Sequence, residues 1–202
     1  SPPSPPSPPS PPSPPSPPSP PPLQPTTVFD FSSTSPGWLN GGDDPPYAFD
    51  HQTEGSTPSS DTGPSAGVGG SGSYFYAEAS SPRVQNDLFT LAYNGSVCSD
   101  IGQGVSTVAF HYHMNGDDMG ELRVTNAAGE AMWSLSGNQG NAWQAVSVEI
   151  YSTSFAFEYT RGRGYSGDAA VALVSVSCGA APPPPPPSQP TTTFDFSGGI
   201  AA

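Results

Sequence analysis

Proline is distributed so unevenly along this chain that it decides which parts can fold. Residues 1–22 contain fifteen prolines, mostly in Ser-Pro-Pro triplets, and residues 182–187 are six consecutive prolines. Proline fixes φ and has no N–H to donate, so such runs favour the extended, solvated polyproline II helix and cannot build a core. We therefore predict a polyproline II rod at 1–24, a proline-rich linker at 181–190, and one domain at 25–180, which carries nearly all the aromatic residues.

A short repeat follows each proline run. The segment at 24–32, Gln-Pro-Thr-Thr-Val-Phe-Asp-Phe-Ser, recurs at 189–197 with one change, Thr in place of Val. Repetition of this kind is typical of a modular array. Two interpretations of 191–202 remain open: it begins a further unit, or it is a donor strand that adds to the sheet of a neighbouring molecule.

The charge of the chain restricts its partners. The formal net charge is -13, and the chain has four arginines and no lysine. Such a surface repels phosphate backbones and anionic lipids, so we expect no nucleic-acid partner. No run of about 18 apolar residues occurs, so we also expect no membrane insertion.

The apolar residues of the central segment recur with a period of two, which is typical of strands. Within 105–114, Val108, Phe110, Tyr112 and Met114 share one face, while His111 and His113 share the other. Similar patterns predict strands at 73–79, 119–125, 130–135, 142–151, 154–159 and 169–178, with turns between them. Residues 41–72 are rich in Gly, Pro, Ser and Asp and predict a long ordered loop or a set of turns. Many short strands with glycine-rich turns indicate an all-β sandwich.

Several runs resemble the MAM family (meprin, A5 antigen, receptor phosphatase mu) in their order and spacing. They are residues 29–31 with 37–38, 57–64 followed by 72–80, 110–116 with 119–124, 133–143, and 161–168. The resemblance implies a jelly-roll-like antiparallel β-sandwich, an extracellular setting and a role in adhesion or assembly, without catalysis. The chain departs from the family pattern at two places. Phe29 and a residue near Pro36 replace the usual first disulfide, and Ala172 and Leu173 replace two adjacent acids.

Two candidate stabilising sites follow from this resemblance. The family's second disulfide would join Cys98 to Cys178, although two buried free thiols are the alternative. A structural cation such as Ca²⁺, the only cofactor we consider, needs six to eight oxygen ligands. The candidate ligands are Asp61 and Glu78 in the family-like loop and strand, with Asp30, Asp50 and Asp168 as additions. The alternative is a solvated acidic loop with Asx-turns.

Two sequence patterns could suggest a zinc site or a catalytic serine, but a structural role explains each of them better. His111 and His113 have a spacing that could hold zinc, but a third ligand is missing, and we favour an ordinary outer strand face beside a wet turn. The string from Gly164 to Asp168 is not a nucleophile elbow, because its second glycine is one position early and no helix follows. We therefore expect no enzymatic activity.

The rods suggest glycosylation. The Ser-Pro-Pro segment resembles the hydroxyproline-rich rods of extensins and pherophorins, which implies sugars on its prolines and serines, whereas a bare linker is the alternative. The predicted O-glycosylated residues are Ser1, Pro2, Pro3, Ser4, Pro5, Pro6, Pro182, Pro183, Pro184, Pro185, Pro186 and Pro187. Asn94, in Asn-Gly-Ser, is a predicted N-glycosylation site.

Two functional hypotheses remain. In the first, rods and domains form a repeating building block of an extracellular fibre, wall or matrix, with copies of the chain and covalent glycans as partners. In the second, the domain is a stalk-mounted recognition head for a glycan or protein. Exposed aromatic residues would favour the second hypothesis, and Trp38, Trp133 and Trp143 are the candidates, although the resemblance places Trp133 and Trp143 in the core.

Overall fold

The computed structural model describes residues 25–33 and 35–180. The predicted rod at 1–24, the linker at 181–190, the segment at 191–202 and all the predicted O-glycosylation sites lie outside these residues. The strands are β1 (Thr26–Phe29), β2 (Trp38–Asn40), β3 (Asp50–Gln52), β4 (Tyr74–Tyr76), β5 (Leu88–Tyr93), β6 (Gly104–Met114), β7 (Glu121–Asn126), β8 (Ala131–Ser136), β9 (Gly140–Ser152), β10 (Phe155–Thr160) and β11 (Ala169–Gly179). A single helical turn, α1 (Ser96–Ser99), and a 3-10 turn (Val68–Gly70) complete the described elements.

The strands form two antiparallel sheets that pack into a sandwich, which confirms the predicted all-β fold. One sheet has the order β3-β4-β11-β6-β9, and the other has the order β2-β5-β10-β7-β8. Strand β6 pairs with one edge of β11 over nearly its whole length. Strands β4 and β1 share the opposite edge, β4 beside Ala170 and Val171 and β1 beside residues 174–177. The N-terminal strand is therefore an edge strand held by β11.

The core lies between the sheets and follows the period of two. On β6, Val108, Phe110 and Met114 are buried, and on β10 the inward residues Phe155 and Phe157 are buried as well. The Phe110 and Phe157 rings meet edge to face across the sandwich, with centroids 4.8 Å apart. Burial of each such side chain stabilises the fold by about 1.5–3 kcal/mol, so the interdigitated aromatic layer is the main source of cohesion.

A second, smaller cluster covers part of the outer face of the first sheet. The loop before β4 crosses this face, and the Trp143 indole N–H donates to the Ala66 carbonyl across 2.8 Å. Beneath the loop, Tyr74, Tyr76 and Ala170 are buried. The first sheet is therefore buried on both of its faces here. A period-two pattern predicts only one buried face.

The predicted strands differ from the observed ones mainly at their ends. All seven predicted strands are present, with β4 shortened to three residues. The period-two pattern did not predict the other four strands, β1, β2, β3 and β5. The loop prediction for 41–72 is incomplete, because β3 and the 3-10 turn lie within it. Within the described ranges, no helix is long and apolar enough to cross a membrane.

Strand β1 anchors the N-terminus through two phenylalanines. Phe29 and Phe31 are 6% and 3% exposed, whereas Val28, directly before Phe29, is 60% exposed. The Phe29 ring lies 5.4 Å from the Trp38 ring, and the Phe31 ring lies 4.8 Å from the Phe75 ring. The strand ends at Phe29, and Phe31 reaches the core from a left-handed conformation with φ of 59°.

Candidate functional site

Asp168 joins three segments of the chain in the interior of the domain. Its side chain is fully buried at the start of β11. The Asp168 N–H donates to the Thr62 hydroxyl across 2.9 Å, and the Ala79 N–H donates to Asp168 Oδ1 across 2.9 Å. Asp168 Oδ2 is buried and has no hydrogen-bond partner of good geometry among the described residues, although the nearby Thr57 hydroxyl favours its charged form. Asp168 therefore holds one loop through its backbone N–H and another through Oδ1, and its carboxyl group is only half satisfied.

This environment raises the pKa of Asp168 to about 7. Burial is the largest cause, and the negative charges of Glu78 and Asp50 act in the same direction, while the Ala79 N–H opposes them. A charged carboxylate is costly in a dry interior, so the proton is retained up to near-neutral pH. Asp168 is the one acid in the described chain whose pKa is raised that far.

Three of the five predicted cation ligands, Asp50, Glu78 and Asp168, influence one another electrostatically. Glu78 is half-buried and its carboxylate accepts a hydrogen bond from the Ser80 N–H at 2.9 Å. Asp50, on β3, has a raised pKa because of partial burial and then the charge of Glu78. Asp50 and Glu78 both act electrostatically on Asp168. These three residues form an acidic cluster at the end of the first sheet.

The other two predicted ligands have different roles. Asp30 accepts hydrogen bonds from the Ser32 N–H and hydroxyl at 3.0 and 2.8 Å, and these bonds lower its pKa. Asp61 is exposed in a left-handed conformation, with φ of 63°. Across residues 25–33 and 35–180, no group of three or more His, Cys, Asp or Glu side chains is arranged to hold a metal ion. The residues present do not fit a preformed Ca²⁺ site, and cation binding stays a prediction.

The expectation of an ordinary outer face for both histidines is wrong for His113. His113 is 2% exposed, its Nε2 lies 3.1 Å from Asn141 Oδ1, and its ring lies 5.5 Å from that of Trp143. Burial lowers the pKa of His113. The loop that carries Ala66 covers this region of β6, so His113 belongs to the smaller cluster rather than to a wet turn.

The string from Gly164 to Asp168 forms a structural turn. The Ser166 hydroxyl donates to Asp118 Oδ2 across 2.8 Å. The Tyr159 hydroxyl, fully buried, donates to the Gly167 carbonyl and accepts from the Gly120 N–H at 2.9 Å. A Cβ on Gly164 would meet the Asp118 carboxylate, which would then have to shift from its present position. Ser166 is thereby engaged in holding two loops together.

The predicted disulfide between Cys98 and Cys178 is confirmed. Cys98 lies in α1 and Cys178 near the end of β11, with their Cα atoms 5.2 Å apart. Both residues are buried. The bond ties the segment between β5 and β6 to the last strand of the first sheet.

Asn94 is accessible for modification. Its side chain is exposed directly after β5. Asn94 Oδ1 accepts from the Ser96 N–H across 3.0 Å. This bond uses the oxygen, so the side-chain nitrogen, where an N-linked sugar would attach, is the atom left for the modification.

The three tryptophans do not form an exposed binding stripe. Each is half-buried and packs on other rings: Trp38 on Phe29, Trp133 on Phe110 at 5.4 Å, and Trp143 on the smaller cluster. A cavity of about 420 Å³ does open beside Trp38, between β2 and β3. It is lined by Phe31, Ser32, Ser33, Ser35, Trp38, Asn40, His51, Phe75 and Leu91.

Comparisons with known proteins agree with this architecture. A family model described as MAM domain, meprin/A5/mu, matches residues 29–179. The MAM domain-containing glycosylphosphatidylinositol anchor protein 1 of Gallus gallus is 39% identical over 129 residues, which cover 58% of this chain and 13% of that protein. The related anchor protein 2 of Mus musculus is 37% identical over 134 residues, with 58% and 14% covered. The chain thus spans only about one-seventh of the length of these curated relatives.

A solved structure shows the same type of fold. The K1 cleaved adhesin domain of Lys-gingipain from Porphyromonas gingivalis W83 superimposes with a TM-score of 0.50 and 13% sequence identity. The match covers 78% of this chain and 99% of that domain. At this identity, the likeness concerns the β-sandwich alone.

Proposed function

The chain belongs to the MAM domain family, and from that membership we propose that it is a non-catalytic extracellular module with a structural or adhesive role. The observation that carries this proposal is the family's sandwich closed by a disulfide, because such bonds persist in oxidising, extracellular compartments. The relatives are named as glycosylphosphatidylinositol anchor proteins, and this agrees with a location at a cell surface.

The polar groups of the interior support a non-catalytic role. Arg161 is buried and donates from Nε to the Ala79 carbonyl across 2.6 Å. The hydroxyl groups of Tyr159 and Ser166 and the carboxyl group of Asp168 likewise bind neighbouring loops. These contacts fix the shape of the domain instead of converging on a substrate.

We propose further that rod and domain together are the unit of construction. A six-proline run and a near-copy of the first strand follow the domain, so the order of rod and strand is repeated. Polyproline II segments act as stiff spacers of about 3.1 Å per residue, which suits a scaffold better than a flexible tether. In this proposal, the chain is a repeating, glycosylated building block of a fibre, wall or matrix.

The test is to secrete the 202-residue chain from a eukaryotic host that hydroxylates and glycosylates proline. Intact mass, sedimentation and electron microscopy would then be measured on the same material. We expect a mass well above the 20.6 kDa polypeptide and assemblies with a regular axial repeat. Monomers with the bare polypeptide mass would contradict the proposal.

A recognition head is the second candidate, and the cavity beside Trp38 favours it. Its lining combines the Phe31, Trp38 and Phe75 rings with the polar groups of Asn40 and His51, a composition suited to a small ligand. A glycan array with the same secreted chain tests this function. Binding that is lost in Ser33→Trp, a change that would fill the cavity, with unchanged folding, would support it.

A further inference from the structure

The repeated segment at 189–197 has the residues needed to act as strand β1. It differs from 24–32 at one position only, where Thr193 corresponds to Val28. Val28 points to solvent and is 60% exposed. Threonine, like valine, is β-branched and suits a strand surface. The single difference therefore falls where β1 makes no core contact.

The contacts that hold β1 in the domain involve residues that the repeat preserves. Phe29 and Phe31 fill the core, and Phe194 and Phe196 occupy the corresponding positions in the repeat. The Thr26 hydroxyl lies 2.9 Å from the Ser177 hydroxyl, and the Cys178 N–H donates to the Pro25 carbonyl across 3.0 Å. Thr191 and Pro190 are the equivalent residues of the repeat.

Strand β1 is also held without any covalent bond to the sheet. Among residues 25–33 and 35–180 it pairs only with β11, over four residue pairs, and forms an edge of the first sheet. The chain has two cysteines, and both belong to the bond between Cys98 and Cys178, so no disulfide fixes β1. An edge strand of this kind can be replaced by an equivalent strand that offers the same side chains.

We propose that the segment 190–197 of one copy takes the place of β1 along β11 of a second copy. The register is that of β1, with Thr191 opposite Ser177 and Thr193 opposite Ser175. This deepens the proposed function, on which it rests, because it names the contact by which copies of the chain assemble.

The linker disfavours exchange within one chain. Pro190 would lie opposite Cys178, so the chain would have to return to the end of β11 within residues 180–189. Six of these ten residues are consecutive prolines, which span about 19 Å in polyproline II at about 3.1 Å per residue. Only four other residues remain to reverse the chain. The segment 190–197 can therefore reach β11 of a second molecule more easily than β11 of its own chain.

Concentration decides how often the exchange occurs. The chain's own β1 competes for β11 with an effective concentration in the millimolar range, as expected for a short tether. The exchanged state is therefore populated at similar protein concentrations, and a packed extracellular layer provides them. A disulfide that forms only in the exchanged state would trap it.

The experiment uses the full chain with Ser175→Cys and Thr193→Cys, oxidised at about 1 mM protein. We expect dimers and longer ladders on non-reducing gels, and peptide mapping should show the bond between positions 193 and 175 of different chains. The matched control, Ser175→Cys with Val28→Cys, joins the natural pair within one chain and should stay monomeric. Unlinked monomers in the test variant, or a 193–175 bond within one chain, would overturn the proposal.

A second variant separates docking from random collision. Adding Phe194→Ala and Phe196→Ala removes the two rings that would enter the core of the acceptor. Both substitutions leave every described residue unchanged, and far-UV circular dichroism and thermal unfolding check that the domain still folds, while the ladders should disappear. Ladders that persist at the same yield would refute strand exchange. If glycosylated assemblies of the unmodified chain still form in that case, the proposed function stands and the copies meet elsewhere.

Discussion

Replacing Asp168 with asparagine should remove a large pH dependence of folding stability. The carboxyl group is fully buried, and its pKa rises from 3.8 to about 7 in the folded domain. A raised pKa means that the folded state binds this proton more tightly than the unfolded state. The stabilisation is therefore complete below about pH 4 and is lost as the pH rises through about 7.

The magnitude follows from the size of the shift. Each pKa unit corresponds to about 1.36 kcal/mol, so the shift of Asp168 makes the wild type about 4 kcal/mol less stable at pH 8 than at pH 4. Asparagine keeps an oxygen to accept from the Ala79 N–H and carries no charge. The two proteins should have similar stability at pH 4, and the variant should be the more stable one at pH 8.

The assay is urea unfolding of both proteins at pH steps from 4 to 8, with EDTA present so that no cation neutralises the carboxylate. All other ionisable groups are shared, so the difference between the two free energies of unfolding isolates Asp168. Parallel curves for the two proteins would refute the reasoning. A wild type that gains stability over the variant between pH 4 and pH 8 would also refute it.

Four further changes test other parts of the structure. Replacing both Cys98 and Cys178 with serine should lower the free energy of unfolding by about 4.5 kcal/mol, because the bond closes a loop of 80 residues; a calorimetric midpoint within a few degrees of wild type would contradict this. Tyr159→Phe should cost about 2–4 kcal/mol in chemical unfolding, since the Gly120 N–H and the Gly167 carbonyl each lose a buried partner. Asn94→Gln should remove one N-glycan from the secreted chain, seen as a loss of mass, and should leave the fold unchanged; equal masses would exclude Asn94 as the acceptor. If the acidic cluster takes up a cation, millimolar Ca²⁺ should raise the unfolding midpoint of the wild type at pH 8 more than that of Asp168→Asn, and an unchanged wild-type midpoint would rule the site out.

The strand prediction succeeded where an element is long enough to show its period. Strand β6 has eleven residues, and its alternating apolar residues identify both the strand and its core face. The same alternation occurs at β5, where Phe89, Leu91 and Tyr93 alternate with less buried residues, so its sequence also carries the strand pattern. Strands β2 and β3 have three residues each and, unlike the equally short β4, do not lie within a longer alternating segment.

The candidate site shows a different limit. A sequence can identify five acids as possible ligands, but it does not give their distances. Asp50, Glu78 and Asp168 come together because β3 and β11 both flank β4, whereas Asp30 is occupied by its own turn. The burial of His113 likewise depends on a loop that is more than forty residues away in the chain.

The sequence by itself determined the elements that depend on local chemistry: the proline-rich segments, the strands with a clear period of two, the family resemblance and the near-identity of the two short repeats. These properties depend on residues that are neighbours in the chain, so the amino-acid sequence alone is enough to recognise them. Only the tertiary structure decided that Asp168 is a half-satisfied buried acid, that the outer face over β6 is covered, and that Val28, the one position where the repeats differ, points to solvent. Each of these depends on which distant segments pack together, because burial and electrostatic shifts are set by all the surrounding atoms and not by the order of residues.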